Sequence, residues 1–238
     1  MVPLVMTKTE LWPREVAHRR HGGGCGETDR CEGFQTFVEP DSLAEPLCGA
    51  VRPGHFRRVA TVVAKLFNIV QPDFAFFGQK DFQLRAVVRQ MVQDLNLAGE
   101  IINVPTVREA DGLCMSGRNS YLGPSGRRRA LCLSQALFAA ESAFGQGERG
   151  TRTPVKLAVE HMADVNQLQY LELRDAATLQ RLTGPISQPA VLCVAAYVGA
   201  THLIDNLVLN PSSMEIGGVE RGLLSAIPGT GEPLPLRS

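Results

Sequence analysis

The sequence has no charge imbalance, no long apolar run and no paired cysteines, and each absence removes a class of function. Lysine plus arginine and aspartate plus glutamate balance at 24 each over 238 residues. No global field therefore recruits nucleic acid or an anionic membrane, and neither is an expected partner. The longest apolar stretches, such as AVLCVAAYVGA at Ala190–Ala200, are too short to span a bilayer. The amino terminus lacks a cationic region followed by an apolar core, so the expected compartment is the cytoplasm. Six cysteines at Cys25, Cys31, Cys48, Cys114, Cys132 and Cys193 show neither the CxxC spacing of a zinc site nor the density of a disulfide scaffold. They read as free thiols, with Cys132 and Cys193 packing as small hydrophobes. No protein-only metal site is expected, and no internal repeat is visible.

What is present is a hydrophobic content of 44%, enough for one large or two small domains. Residues 1–32 are polar, with HRRHGGGCGETDR at His18–Arg30 combining charge and glycine, and read as a poorly ordered arm. Residues 33–123 alternate as α/β proteins do: strand QTFVE, a helix from about Gly54 to Val70, strand FAFFG, a helix from about Asp81 to Leu95, and strand EIINV. The continuous apolar runs FAFFG and IINV suit parallel strands buried on both faces. Val59, Val62, Val63, Leu66 and Val70 recur at helical spacing and predict one buried stripe, which Pro72 ends. Asp81 is placed to cap the next helix, with Ala86, Val87, Met91 and Leu95 on its apolar face. Residues 124–150 read as a helix and linker, the linker by the composition of GQGERGTRT. Residues 151–210 read as a small α+β domain with an antiparallel sheet, and 211–238 as a tail.

Two runs carry the chemistry, FFGQKDFQ at Phe76–Gln83 and VPTVREADGLCMSGRN at Val104–Asn119. Both fall on loops at strand ends, where an α/β enzyme holds a nucleotide. Gly78 lets the backbone approach a ligand, Lys80 supplies a point charge, and the following helix start directs N–H groups toward the strand edge. Ser116 can donate to a phosphate oxygen, and Arg118 can bind one bidentately. Read alone, GxKD is also a turn with a surface lysine, and MSGR an ordinary loop.

With these runs in place, the chain resembles the pantothenate synthetase family over roughly its last five-sixths. The match is densest in RPGHFRRVATVVAKLFNIVQPDFAFFGQKDFQ at Arg52–Gln83, with LQYLELRDAATL and LIDNLVL following. The resemblance implies an α/β fold: a Rossmann-like nucleotidyltransferase domain with a parallel sheet, incomplete here, plus a small carboxy-terminal α+β domain. It implies ATP-dependent ligation of pantoate and β-alanine through a pantoyl-adenylate, with Mg2+ accompanying the ATP, by a homodimer. Gly78, Gln79, Lys80, Asp81, Val107, Met115, Ser116, Gly117 and Arg118 carry over as ATP-binding positions. Lys80 and Arg118 stabilise phosphate charge, Asp81 helps position the nucleotide or its metal, and Val62, Val63 and Leu84 fall at the pantoate pocket.

The sequence also departs from the family. Leu84 stands where a glutamine amide bonds pantoate, Gly117 where a second serine stands, and Arg58 where a glycine is usual. The family's opening nucleotide-binding strand and Met-Gly-Ala-Leu-His-x-Gly-His signature are not in the given sequence. His18 and His21 have the HxxH spacing of that signature, but no apolar strand precedes them and glycines follow, so they read as solvated. His55 is expected to be a structural hydrogen-bonding residue near the pantoate pocket and the dimer contact. The ligase is expected to be impaired. A spurious amino-terminal reading frame on a full ligase, a nonenzymatic dimer partner and a simple nucleotide binder stay open as alternatives. An incomplete sheet also predicts an exposed parallel edge.

Overall fold

The computed structural model describes residues 34–213 and the backbone of a short strand at Leu4–Met6. His18, His21, Cys25, Cys31 and the 214–238 part of the tail lie outside the described residues. The first sheet has strands β1 (Leu4–Met6), β2 (Phe74–Gly78) and β3 (Glu100–Val104) in the order β1-β2-β3. β2 and β3 run parallel, Phe74 facing Glu100 and Gly78 facing Val104, as a βαβ unit requires. β1 pairs antiparallel with β2, Leu4 opposite Phe76. This strand falls in the segment expected to be a poorly ordered arm, and it pairs along one edge of β2.

Three further local expectations are corrected. QTFVE forms no strand; its residues run as irregular chain, with the Val38 N–H donating to Thr61 Oγ1 at 3.0 Å. FAFFG is not buried on both faces, because only Ala75 and Phe77 point inward, and β3 has no buried residue. With β3 at the sheet edge, one cluster of helices covers one face, and alternation is what a half-covered strand shows. The stripe on helix α2 (His55–Val70) is rotated from the expected one. Phe56, Ala60, Val63, Ala64 and Phe67 are buried, while Val62 is 42% exposed. Two phenylalanines flanking two alanines let the large side chains fill the space the small ones leave against β2.

The preceding short helix is α1 (Cys48–Val51), and α3 (Phe82–Asp94) follows β2 through one 3-10 turn at Gln79–Asp81. Asp81 occupies the N-cap position of α3 but makes no capping hydrogen bond, because its side chain is at the cleft instead. On α3 the buried face is Phe82, Gln83, Val87, Val88, Met91 and Val92, and Leu95 is exposed. Gly99 (φ +105°) turns the chain into β3 so closely that a Cβ there stands 2.3 Å from the Pro72 carbonyl oxygen, which only glycine tolerates.

The second unit is a three-stranded antiparallel meander, β4 (Gln167–Asp175), β5 (Ala190–Val198) and β6 (Thr201–Leu209). Helices α4 (Pro124–Gly145) and α5 (Arg152–Glu160) cover one face, and Leu133, Leu137 and Phe144 of α4 share its core with Leu192, Val194 and Leu207. The helix expected to precede a linker thus belongs to the second core. The linker itself is tied down: Ile186 N–H donates to the Arg149 carbonyl at 2.7 Å, and the Arg149 guanidinium stacks on Phe144 and donates to its carbonyl. Leu47, Phe82, Leu179, Val191 and Cys193 form a third apolar cluster that joins the two units.

Candidate functional site

The turn Gln79–Asp81 and strand β6 face each other across a cleft, and the sequence pattern of β6 explains why. Along THLIDNLVL, Leu203, Leu207 and Leu209 point into the helix-covered core, so His202, Ile204 and Asn206 take the opposite face by strand alternation. From the first unit, Arg52, His55, Lys80, Asp81 and Arg118 meet them. Tyr170 and Cys193 of the second sheet complete the wall with Leu84 and Cys48.

The two sequence runs are brought together. Lys80 Nζ donates to the Met115 carbonyl at 3.2 Å, joining FFGQKD to CMSGRN. Met115 N–H donates to the Val107 carbonyl at 2.9 Å, and both residues are more than half exposed. Ser116 caps the 3-10 turn Gly117–Tyr121: its Oγ accepts from Arg118 N–H at 3.2 Å, which leaves the hydroxyl proton to donate elsewhere. A Cβ at Gly117 would meet no atom within 4 Å, so the space of a second serine is intact. Gly78 ends β2 in extended conformation, and the carbonyls of Gln79 and Lys80 accept from Asn206.

Leu84 lines the cleft and also packs on the first core. Val62 and Val63, expected at the pantoate pocket, do not line this cleft. Adjacent helical residues point about 100° apart, and here one reaches solvent while the other enters the α2–β2 core.

Arg118 Nη1 donates to the His202 carbonyl and to His202 Nδ1, each at 3.3 Å, and His202 Nε2 pairs with Gln169 Oε1 at 2.6 Å. Burial, then Arg118 and Arg52, lowers the His202 pKa, so the neutral ring accepts at Nδ1 and donates at Nε2. Burial, followed by Arg52, Arg58 and Arg118, lowers the pKa of half-buried His55 from 6.5 to about 4. With both imidazoles neutral, Arg52, Lys80 and Arg118 outnumber the carboxylates that line the cleft, Asp81 and the Arg108-bound Asp205, which suits an anionic ligand. Burial pushes the Cys193 thiol up to about 12 and raises that of Cys48, so neither is a nucleophile at neutral pH.

The depressed imidazole has a stability consequence. Between pH 6.5 and about 4 the unfolded chain binds a proton at His55 that the folded chain refuses, so its contribution is whole above pH 6.5 and is lost as pH falls toward 4. Urea midpoints of wild type are expected to fall between pH 7 and 4.5 by more than those of His55→Gln, with solvent screening holding the difference small.

Several residues of these runs, to which the sequence assigns no role, support the site. Gln83 is buried: its Oε1 accepts from Cys48 N–H at 3.0 Å and its Nε2 donates to the Leu43 and Pro46 carbonyls at 2.9 and 2.6 Å. Asn119 Nδ2 donates to Glu109 Oε1 at 2.6 Å and to the Cys114 carbonyl at 3.1 Å, holding the 109–119 loop. The Arg108 guanidinium grips Asp205 with both amino groups, at 2.6 and 3.1 Å, and stacks 4.9 Å from the Phe138 ring centroid. The available signal was a polar residue on an apolar periodicity, as Gln83 is with Val87 and Met91, and as Asp205 and Asn206 are within β6.

Comparison with known proteins supplies an independent line. The family model described as Pantoate-beta-alanine ligase matches residues 9–208. The chain is 62% identical over 177 residues to pantothenate synthetase 1 of Bradyrhizobium diazoefficiens, covering 74% of this chain and 62% of that protein. It is 49% identical over 179 residues to pantothenate synthetase of Geobacter sulfurreducens, covering 74% and 63%. The chain thus spans less than two thirds of the length of these curated relatives. A crystal structure of pantothenate synthetase from Thermus thermophilus superposes with a TM-score of 0.71 at 43% identity, over 76% of this chain and 66% of that one. A pantoate-beta-alanine ligase from Francisella tularensis, solved with beta-gamma ATP and beta-alanine, gives 0.55 at 28% identity, over 73% and 58%.

Proposed function

The chain belongs to the pantoate–β-alanine ligase family, and on that premise we propose that its cleft binds ATP and joins pantoate to β-alanine through a pantoyl-adenylate. The observation that carries this reading is the Lys80–Met115 bond, which draws both motifs around a cleft with three cationic side chains. A relative solved with beta-gamma ATP and beta-alanine supports the choice of ligands. In the first step a pantoate carboxylate oxygen attacks the α-phosphorus, and the bond to the leaving pyrophosphate breaks. In the second the β-alanine amine attacks the acyl carbon, the anhydride C–O bond breaks, and AMP leaves. Lys80 and Arg118 meet the phosphate charge that develops in the first step. Ser116 adds a donor, and the exposed apolar Val107 and Met115 offer contacts for the base.

Magnesium fits as an ion delivered with ATP. Among the described residues no group of three or more His, Cys, Asp or Glu could hold a metal. Mg2+ is commonly held by one or two carboxylates plus substrate phosphates, and Asp81 at the cleft would supply one. Bound there, the ion would neutralise phosphate charge. Homodimerisation, with exposed Val62 of α2 in the contact, and a cytoplasmic location complete the proposal; no helix among the described residues is long and apolar enough to cross a membrane.

The seat for pantoate is weakened relative to the family pattern, because Leu84 offers the cleft no hydrogen bond and Gln83 is committed to the 43–48 segment. Leu84→Gln is expected to lower the KM for pantoate about tenfold, the equivalent of one hydrogen bond to a charged group; an unchanged KM would mean the leucine is compensated. The test of the reaction itself is AMP release from ATP, magnesium and pantoate, with and without β-alanine. Weak turnover that requires β-alanine is expected, because the chain is read as an impaired ligase, and a folded chain that releases no AMP overturns the ligase reading.

A further inference from the structure

We propose that Asn206, on strand β6 of the second unit, is a positioning residue that fixes the turn carrying Lys80. Asn206 is 3% exposed in the middle of its strand. Its Nδ2 donates to the carbonyls of Gln79 at 2.9 Å and Lys80 at 2.8 Å, so both of its N–H groups are used. The amide orientation is fixed by these partners, since the reverse assignment would set Oδ1 against two acceptors. Oδ1 is then left buried without a hydrogen-bond partner. An orphaned buried acceptor is costly, and an apolar side chain at this position would avoid it. The residue therefore serves the turn at the expense of the strand.

Two consecutive carbonyls directed at one amide orient the peptide planes on both sides of Lys80. The side chain they launch is held at its far end by the Met115 carbonyl. Its neighbour on β6, Asp205, grips Arg108 at the base of the loop that carries Met115. One strand thereby sets the register of both loops around the reacting phosphates, and neither Asn206 nor Asp205 needs to touch ATP to do so.

The kinetic arm of this proposal rests on the ligase reading; a second arm does not. Asn206→Ala should lower kcat for AMP release about 100-fold, the scale on which small misplacements act, with KM for pantoate and β-alanine within about twofold. In a Lys80→Ala background the same substitution should cause no further loss, because the group it positions is gone. A multiplicative loss in both backgrounds overturns the proposal. Independently of turnover, hydrogen exchange of the amides across residues 76–83 should accelerate in Asn206→Ala, and unchanged exchange overturns the proposal whether or not the chain releases AMP. Asn206→Leu keeps the branching at Cγ and removes the orphaned acceptor, so it serves for both arms should the alanine variant fail to fold. If wild type releases no AMP while exchange responds, the ligase reading fails and the positioning role stands.

Discussion

Lys80→Ala is expected to reduce AMP release by about 10²–10³-fold, the range for losing one preorganised charge-stabilising donor. The lysine sits in the 3-10 turn between β2 and α3, with its ammonium already placed beside the second loop by the Met115 carbonyl. Catalysis gains from a group that needs no reorganisation when charge develops, and on the proposed ligase reading this tether would provide that. The tether is a solvent-accessible contact, so its loss should change stability by no more than about 1 kcal/mol. A thermal midpoint within a few degrees of wild type beside a collapse in turnover separates chemistry from folding. Lys80→Arg should recover only part of the rate, because a planar guanidinium does not reproduce the compact charge. Equal AMP release by wild type and Lys80→Ala would remove the lysine from the mechanism.

Asp205→Ala carries the largest expected effect on stability. The carboxylate side chain is 2% exposed and its Arg108 partner 20%, so the alanine variant strands a cation in a nearly dry seam. Breaking one side of such a pair costs about 3–5 kcal/mol. Burial pushes the Asp205 carboxyl up against the pull of Arg108, which marks the desolvation cost the pair carries. The complementary expectation follows: Asp205→Leu combined with Arg108→Met should recover most of the lost stability, since both charges leave together. Urea unfolding of the two single variants and the double variant measures the coupling. Additive losses would show that the pair does not act as a unit.

The sequence made the large elements legible because they depend on short-range physics. The spans of α2 and α3, the apolar strands FAFFG and EIINV, and the carboxy-terminal meander stand where pattern placed them to within a few residues. The motif loops were legible for a different reason: GQKD and MSGR are dense in residue types that bind anions. The rotation of α2 was not legible. Choosing between Val62 and Ala60 for the buried stripe depends on how Phe56 and Phe67 interlock with β2, a long-range fact. QTFVE has strand propensity, yet it meets no sheet edge, and its Val38 N–H donates to the Thr61 hydroxyl oxygen instead. Asn206 shows the limit most clearly. A polar residue amid LIDNLVL signals a special site, but its partners lie 126 and 127 positions away in the chain.

The cluster of Leu47, Phe82, Leu179, Val191 and Cys193 that joins the two units has a thermodynamic consequence. Of the cleft residues beside it, Cys48 and Lys80 come from one unit, and Tyr170 and Asn206 from the other. A ligand seated there touches both sides of the seam at once. Its binding energy would then also be docking energy, so occupancy would hold the two units together and raise the resistance of the whole chain to unfolding in proportion to the logarithm of ligand concentration. Ligand supply, on this architecture, would set how long the protein resists unfolding.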